Sequence, residues 1–288
     1  MTAKAACRGA VTIVNAIATG KGAAFGISIE ADASVSLSKS HTKLAYQGPK
    51  EGEDLVLGCV RAVGQASGRH VKAGRVRVES EIPVSRGLKS SSAVSNAVVL
   101  ASERALEADM NDLDLINLGI EESIKAGVTI TGAFDDACAC FLGGVVVTDN
   151  KARAVLKRST LDHDITVILH VPNCRISKQS VKGLDYSPIT DKVEEAVKLA
   201  LRGEYFKAME INSEAYASVL GLSEDVADAA RAKGAIAAGI SGTGPATAII
   251  ARRADSEAIT RGLDRFEGRL MRAEINDTNA REVKPRLL

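Results

Sequence analysis

The loop with the most specific chemistry in this sequence is Pro83-Val84-Ser85-Arg86-Gly87-Leu88-Lys89-Ser90-Ser91-Ser92-Ala93. It lies between Arg75 to Ile82, whose alternation predicts a strand, and Ser92 to Ala108, whose apolar stripe predicts a helix. Gly87 permits backbone conformations that let successive N–H groups curl toward an anion, and the start of the helix points free N–H groups the same way. With three serine hydroxyls and the charges of Arg86 and Lys89, the loop predicts a triphosphate cradle.

A serine-rich helix start also has a simpler explanation, because serine is a common helix N-cap. One serine is enough for a cap, whereas this loop carries three beside two cations, which favours phosphate binding. The stretch Thr19-Gly20-Lys21-Gly22 resembles the end of a Walker A motif, but Asn15 replaces the earlier glycine and Gly22 replaces the final Ser or Thr. The sequence therefore does not predict a P-loop kinase.

Two adjacent carboxylates, Asp135 and Asp136, lie between a predicted helix end and an apolar segment. Burying them without partners is costly, so the pair indicates a functional site. Phosphoryl transfer needs positioning, charge neutralisation and a residue that orients or deprotonates the attacking hydroxyl. Asp135 is the candidate for that last role, and a turn or helix-capping aspartate is the alternative. For Glu121 and Glu122, on the preceding predicted helix Asp112 to Lys125, the alternative to a site is a solvated helix face.

Residues 83–93 resemble the second motif of GHMP kinases, the family of homoserine, mevalonate and galactose kinases, which is written PxxxGLxSSxA. Lys89 departs from it, because many members carry Gly there. The turn Gly239-Ile240-Ser241-Gly242-Thr243-Gly244-Pro245-Ala246 resembles the third motif of the same family. The stretches Asn15 to Gly26, Ser95 to Ala101 and Thr129 to Ala137 resemble the archaeal shikimate kinases.

This resemblance implies an α+β fold with mixed and antiparallel sheets, in two domains at 1–150 and 151–288, and an active site in the cleft between them. It implies ATP-dependent phosphorylation of the 3-hydroxyl of shikimate, in aromatic amino-acid biosynthesis, with ATP and Mg²⁺. Asp135 falls on the family's catalytic position, and Asp136 falls where relatives often have Asn. Ser91 and Glu122 fall on the metal-binding positions, with Glu121 as a close rival. ATP binding falls to Pro83, Ser85, Arg86, Gly87, Leu88, Lys89, Ser90, Ser91, Ser92, Ala93, Gly242 and Gly244.

Shikimate carries a carboxylate and three hydroxyls, so its pocket should offer a cation and short polar groups. Lys21 is the first candidate for the cation, Arg175 and Lys178 are alternatives, and each could equally be a solvated surface charge. Asn15 and Thr131 are candidates for the hydroxyl contacts. The alternatives to a shikimate kinase are another GHMP kinase, acting on homoserine or an isoprenoid precursor, and a non-catalytic GHMP-fold protein that binds a ligand without turnover.

Composition supports a small-molecule partner. The 288 residues have a net charge of +1 with interspersed signs, which favours neither nucleic acid nor a membrane as partner. Five scattered cysteines without a CxxC pair indicate buried free thiols and a cytoplasmic protein. The uncharged stretch Gly234 to Ala251 is interrupted by glycines and predicts a loop between two short strands. Monomer and homodimer both remain open.

Overall fold

The longest pairing of the fold joins β1 (Thr2–Val14) to β2 (Lys21–Leu37), in antiparallel register. The computed structural model describes residues 1–37, 43–176 and 178–287. The alternation of β2 favours an extended strand, and its small alanines allow sheet and helices to cover both faces. The pairing runs from Thr2 opposite Ser36 to Val14 opposite Ala23.

Two sheets form the framework. The six-stranded sheet has the order β3-β4-β2-β5-β6, with β1 also paired to β2, and only the β3–β4 pair is parallel. The four-stranded sheet is antiparallel, with the order β10-β7-β9-β8. The remaining strands are β3 (Leu44–Gln47), β4 (Gly74–Ser80), β5 (Val145–Asp149), β6 (Ala154–Ser159), β7 (Ile165–Val171), β8 (Ala237–Ile240), β9 (Thr247–Arg252) and β10 (Arg269–Glu274).

The helices cover the sheets and form the core with them. The long helix α2 packs on β1 and β2, with α1, α3 and α4 around it, while α6 and α7 pack on each other and on β1. The α+β class predicted from the sequence is confirmed. The helices are α1 (Glu53–Ala66), α2 (Ser90–Leu106), α3 (Asp112–Lys125), α4 (Phe134–Leu142), α5 (Lys178–Lys182), α6 (Thr190–Arg202), α7 (Tyr205–Leu220), α8 (Asp225–Ala232) and α9 (Ser256–Gly262).

Several boundaries differ from the prediction. Helix α2 begins at Ser90 rather than Ser92, whereas α3 has the predicted range and is capped by Asn111, whose side chain accepts from the Asp114 N–H. Helix α4 was not predicted: it is short and almost uniformly apolar after its two aspartates, so it shows no stripe. Strand β10 was missed because its exposed and buried positions alternate poorly.

The chain passes more than once between the two sheets. Strand β6 pairs in the first sheet although it follows residue 150, and the segment after β10 returns to β2, where the Asn276 N–H donates to the Gly26 carbonyl at 2.9 Å. Farther along, Arg286 pairs with the buried carboxylate of Glu30. The division into domains at 1–150 and 151–288 stays a prediction.

The glycine-rich stretch near residue 240 is confirmed as a turn between two strands, β8 and β9. No helix among the described residues is both long and apolar enough to cross a membrane.

Gly26 gives a test of the returning segment. A β-carbon at Gly26 would lie 2.6 Å from the carbonyl oxygen of Asn276. This oxygen belongs to the backbone and cannot move aside as a flexible side chain could. We expect Gly26→Ala to lower the free energy of unfolding by about 2 kcal/mol or more, because backbone must shift. The measurement is urea denaturation followed by circular dichroism.

The matched control is Gly183→Ala. A β-carbon at Gly183 would meet no atom within 4 Å, so this variant should change the free energy of unfolding by less than about 0.5 kcal/mol. Equal stability of the two variants would contradict the close approach at Gly26.

Candidate active site

Helix α2, which follows the loop, begins without a side-chain cap. Lys89 stands at the N-cap with a φ of 65°, and no side chain caps the first turn. The interpretation of Ser90, Ser91 and Ser92 as caps is therefore wrong, because all three lie inside the first turn. Their backbone N–H groups precede the first intrahelical bond, which runs from Ala93 to Lys89. Helix start and hydroxyls together form the kind of site that binds phosphate oxygens.

A cavity of about 640 Å³ opens in front of this helix, which is within the size range of nucleotide and drug-like sites. The loop and its serines form part of its lining, and apolar groups and the ring of Tyr46 form another part. Its lining residues are Tyr46, Pro49, Glu51, Gly52, Leu55, Val78, Ser80, Pro83, Val84, Ser85, Gly87, Leu88, Lys89, Ser90, Ser91, Ser92, Val94, Ser123, Gly127, Val128, Thr129, Gly132, Ala133, Asp136 and Gly242.

A second, small cavity of about 40 Å³ adjoins the large one. The two share five lining residues: Lys89, Thr129, Ala133, Asp136 and Gly242. The small cavity is also lined by Thr12, Asn15, Ala16, Ile17, Ile130, Thr131, Asp135 and Thr243. The structure thus brings together three predicted residues, Asn15, Thr131 and Asp135, on the far side of a shared wall from the serines.

Asp135 is buried in the first turn of α4, with 4% of its surface exposed. Asn150 holds it twice: the side-chain amide donates to Asp135 Oδ1 at 2.8 Å, and Asn150 Oδ1 accepts from the Asp135 N–H at 3.2 Å. Thr148 donates to the same amide oxygen at 2.7 Å. Gly22 packs against the other carboxylate oxygen, where a β-carbon would overlap it. The carboxylate is therefore fixed in one orientation.

Burial, and after it the neighbouring carboxylate of Asp136, raise the pKa of Asp135 to about 7. Lys89 and the hydrogen bond from Asn150 act in the opposite direction. A carboxyl group whose pKa lies near neutrality can accept and release a proton at physiological pH, as a general base must. A strongly shifted pKa in a cavity is also a common mark of an active site.

Lys89 is paired with Asp136, at 2.9 Å between Nζ and Oδ1. The two atoms are close enough for an ion pair but are not aligned as a hydrogen bond, since Asp136 Oδ1 is buried without a hydrogen-bond donor. The Lys89 side chain is 6% exposed. The ammonium group of Lys89 therefore lies between the two cavities.

The turn Gly239 to Ala246 is hydrogen-bonded to the loop of residues 83–93. Ser241 Oγ donates to the Gly87 carbonyl at 2.8 Å, and the Ala246 N–H donates to the Arg86 carbonyl at 3.1 Å. A β-carbon at Gly87 would overlap the Ser241 carbonyl, so glycine is required there. Gly242 lines both cavities, as expected for a nucleotide-contacting residue.

Three residues assigned to ATP binding lie elsewhere. The Arg86 guanidinium donates to the carbonyls of Asn173 and Cys174, so it ties the loop to the second half of the chain. Ala93 is fully buried in the core. Gly244 faces Leu222 and Ile240 rather than a cavity.

The two predicted metal ligands, Ser91 and Glu122, have different surroundings. Ser91 lines the large cavity, but the Glu122 carboxylate points toward Gly58 of α1 and pairs with Lys125 at 2.5 Å. Glu121 pairs with Arg153 instead. Within the described ranges, no three His, Cys, Asp or Glu side chains cluster closely enough to hold a metal.

Lys21 is turned away from the site. Successive side chains of a strand point to opposite faces, and Gly22 faces Asp135, so Lys21 projects from the other face of β2, where it is exposed. Lys21 lines neither cavity, and its contact with a substrate carboxylate stays a prediction. Arg175 is exposed, next to the carbonyls that Arg86 holds. The side chain of Lys178 lies outside the described part of the chain.

Sequence reasoning missed the residues that hold the site in shape. Asn150 was assigned only to a domain boundary. Asn212 of α7 accepts from the Asn15 N–H at 2.8 Å, and the Tyr216 hydroxyl accepts from the Ala18 N–H at 2.9 Å and donates to the Asn15 carbonyl at 3.0 Å. These contacts span about 200 residues, and a sequence pattern carries no signal for them. Gly22 was visible only as part of the Walker-like stretch.

The geometry describes a phosphate-binding helix start beside a buried candidate base, and the family models agree with it. A model described as GHMP kinases N terminal domain matches residues 54–144, and one described as GHMP kinases C terminal matches residues 193–269. The chain belongs to the GHMP kinase family. It is therefore a phosphotransferase that uses ATP as a substrate.

Curated relatives narrow the class. A protein named shikimate kinase from Methanothrix thermoacetophila is 40% identical over 284 residues, covering 98% of this chain and 96% of that protein. One of the same name from Pyrococcus furiosus is 40% identical, covering 82% of this chain and 86% of that protein.

Solved structures share the fold at lower identity. A homoserine kinase from Cytophaga hutchinsonii has a TM-score of 0.78 at 17% identity over 96% of both chains. The mevalonate kinase of Methanococcus jannaschii has a TM-score of 0.73 at 14% identity, covering 96% of this chain and 98% of that one. At these identities the likeness concerns the fold alone.

Asp135 should make stability depend on pH. Its pKa rises from 3.8 in the unfolded chain to about 7 in the folded one, so the folded state holds the proton more tightly and loses stability as pH rises through this interval. Relative to Asp135→Asn, the wild-type free energy of unfolding should fall by about 2–4 kcal/mol between pH 4 and pH 8. Urea titrations at several pH values measure this difference.

The exposed Asp191 gives the matched control. Asp191→Asn should run parallel to the wild type across the same pH range. If the free energy of unfolding of Asp135→Asn also ran parallel to the wild type across this pH range, burial would not raise the pKa of Asp135.

Proposed function

We propose that this protein is a shikimate kinase, which transfers the γ-phosphoryl group of ATP to the 3-hydroxyl of shikimate and yields shikimate 3-phosphate and ADP. The observation that carries the proposal is the 40% identity over 98% of the chain to a protein of that name. The two adjoining cavities supply a place for each substrate.

ATP would occupy the large cavity. Its triphosphate would lie on the N-terminus of α2, where the free N–H groups and the hydroxyls of Ser90, Ser91 and Ser92 meet phosphate oxygens. The base would reach the apolar end near Tyr46, Leu55 and Val78. This orientation directs the γ-phosphate toward the wall that the two cavities share.

Shikimate would place the reacting hydroxyl beside Asp135, with Asn15 and Thr131 close to its other hydroxyls. The ionised Asp135 takes the hydroxyl proton as the oxygen forms its bond to the γ-phosphorus, and the bond from that phosphorus to the bridging oxygen of ADP breaks. Asn150 keeps the accepting carboxylate oriented through the transfer. The electron pair of the broken bond stays with ADP.

The small cavity has to widen for this acceptor. At about 40 Å³ it has room for only a few water molecules. The segment 129–131 forms the outer part of its wall, and Thr131 is exposed to solvent. An outward movement of this segment would admit the substrate.

Mg²⁺ fits the site in part. Ser91 would ligate it together with the phosphates. Such a site suits Mg²⁺, because this ion usually takes few protein ligands and keeps several waters. Glu122 could join only after its pair with Lys125 opens. Bound Mg²⁺ would neutralise charge on the phosphate oxygens during transfer.

The alternatives have less support. The homoserine kinase neighbour shares the fold at 17% identity, whereas the shikimate kinases match at about twice that value over the full chain. A binding protein without turnover has no need of a buried carboxylate held by two hydrogen bonds to Asn150.

Purified protein with ATP and Mg²⁺ should release ADP with shikimate and not with homoserine, mevalonate or galactose. Asp135→Asn should fold and bind ATP while kcat falls by at least about 100-fold, because the general base is lost. A coupled ADP assay measures both.

Turnover of homoserine or mevalonate in place of shikimate would keep the mechanism and remove the proposed substrate. Turnover of none of the four would contradict the proposal. Near wild-type kcat in Asp135→Asn would remove Asp135 from the mechanism.

Lys21→Ala tests whether Lys21 contacts the substrate. Because this side chain leaves the opposite face of β2, the KM values for shikimate and for ATP should each stay within about threefold of the wild type. A rise in the shikimate KM of tenfold or more, with the ATP KM unchanged, would place Lys21 at the substrate carboxylate after all.

A further inference from the structure

Lys89 occupies a position that is costly to build. Its backbone has a φ of 65°, which disfavours a residue with a β-carbon, and its side chain is 6% exposed. A buried ammonium loses its hydration and requires a partner. The partner is Asp136, at 2.9 Å, whose Oδ1 has no hydrogen-bond donor. Capping of α2 does not explain the residue, because its side chain makes no cap.

The surroundings keep Lys89 in place. Gly242 comes so close that a β-carbon there would lie 2.8 Å from Lys89 Nζ, and Gly242 itself is fixed by its N–H bond to Thr12 Oγ1 at 2.8 Å. The ammonium group of Lys89 is thus confined between the turn Gly239 to Ala246 and the start of α4.

This location lies on the path of the phosphoryl group. The three serines line only the large cavity, and Asp135 lines only the small one, whereas Lys89 lines both. A phosphoryl group that leaves a nucleotide at the serines and reaches a hydroxyl at Asp135 has to cross the shared wall. Among the lining residues that the structure describes, Lys89 is the only cation on either cavity.

We propose that Lys89 is a catalytic residue that binds the γ-phosphoryl group while it crosses from ATP to the acceptor, and that Asp136 is the positioning residue that holds the ammonium at the crossing point. This inference rests on the proposed function, since it assigns a role within the same transfer. Charge on the equatorial oxygens of the transferred group is what such a cation would stabilise.

A purely structural role makes a different prediction. Lys89 could serve only to neutralise Asp136, so that two adjacent carboxylates can be buried together. In that case, removing the charge of Asp136 would make the lysine dispensable. Removing both charges at once separates the two roles.

The experiment compares Lys89→Gly, Asp136→Asn and the double variant with the wild type. Glycine accepts the backbone conformation at position 89 without strain, and the double variant leaves no lone buried charge from this pair, so both should fold, which thermal melts verify. Lys192→Met is the matched control, because Lys192 pairs with Glu214 at 2.7 Å on an exposed surface. The control should keep wild-type kcat.

We expect Lys89→Gly to lower kcat by at least about 100-fold with the shikimate KM within about threefold, and Asp136→Asn to lower it by about tenfold or less. The double variant should stay within about threefold of Lys89→Gly. Recovery of the double variant to the kcat of Asp136→Asn would overturn the proposal, as would Lys89→Gly within threefold of the wild type.

A binding measurement separates this inference from the assignment of shikimate. Isothermal titration with ADP and with a non-hydrolysable ATP analogue, both with Mg²⁺, should show Lys89→Gly losing at least tenfold in affinity for the analogue and less than threefold for ADP. Equal losses for the two nucleotides would overturn the role of Lys89 even in an enzyme that phosphorylates shikimate. The expected contrast in a protein inactive on shikimate would uphold Lys89 and reject only the substrate.

Discussion

The close contact between Gly87 and Ser241 is the constraint on which the site depends. It joins two glycine-rich loops that are 154 residues apart, through a hydrogen bond of 2.8 Å from Ser241 Oγ to the Gly87 carbonyl. Since a β-carbon at Gly87 would overlap the Ser241 carbonyl, the loops meet backbone to backbone. This contact brings Gly242 beside Lys89, and it thereby forms the wall between the two cavities.

Two helices begin at the wall between the cavities. Helices α2 and α4 each begin after a residue in the left-handed conformation, Lys89 with a φ of 65° and Ala133 with a φ of 50°, and neither has a side-chain cap. The start of α2 therefore leaves backbone N–H groups without an intrahelical acceptor at the site, whereas in the first turn of α4 the Asp135 N–H donates to Asn150 Oδ1. The carboxylates of Asp135 and Asp136 lie in the first turn of α4, and Lys89 is paired with Asp136. The arrangement suits a group that enters with several negative charges.

The sequence was sufficient for the local parts of this arrangement. The strand–loop–helix around residues 83–93 and the turn around Gly242 both have patterns that operate within about 20 residues. The positions of Asn150, Asn212 and Tyr216 could not be predicted, because they act through contacts between distant segments. The face of β2 on which Lys21 lies could not be predicted for a related reason, because it depends on a register that is set by pairing with β5.

The segment that returns from β10 to β2 also affects how the protein is made. Arg286 donates its backbone N–H to Asp32, across 254 residues of chain. At a synthesis rate of about 5 to 20 residues per second, β2 leaves the ribosome roughly 10 to 50 s before its partner exists. During that time Glu30 lacks its ion pair with Arg286, and Asp32 lacks the hydrogen bond from the Arg286 backbone N–H. The sheet that starts the chain is therefore among the last parts of the protein to reach its final structure.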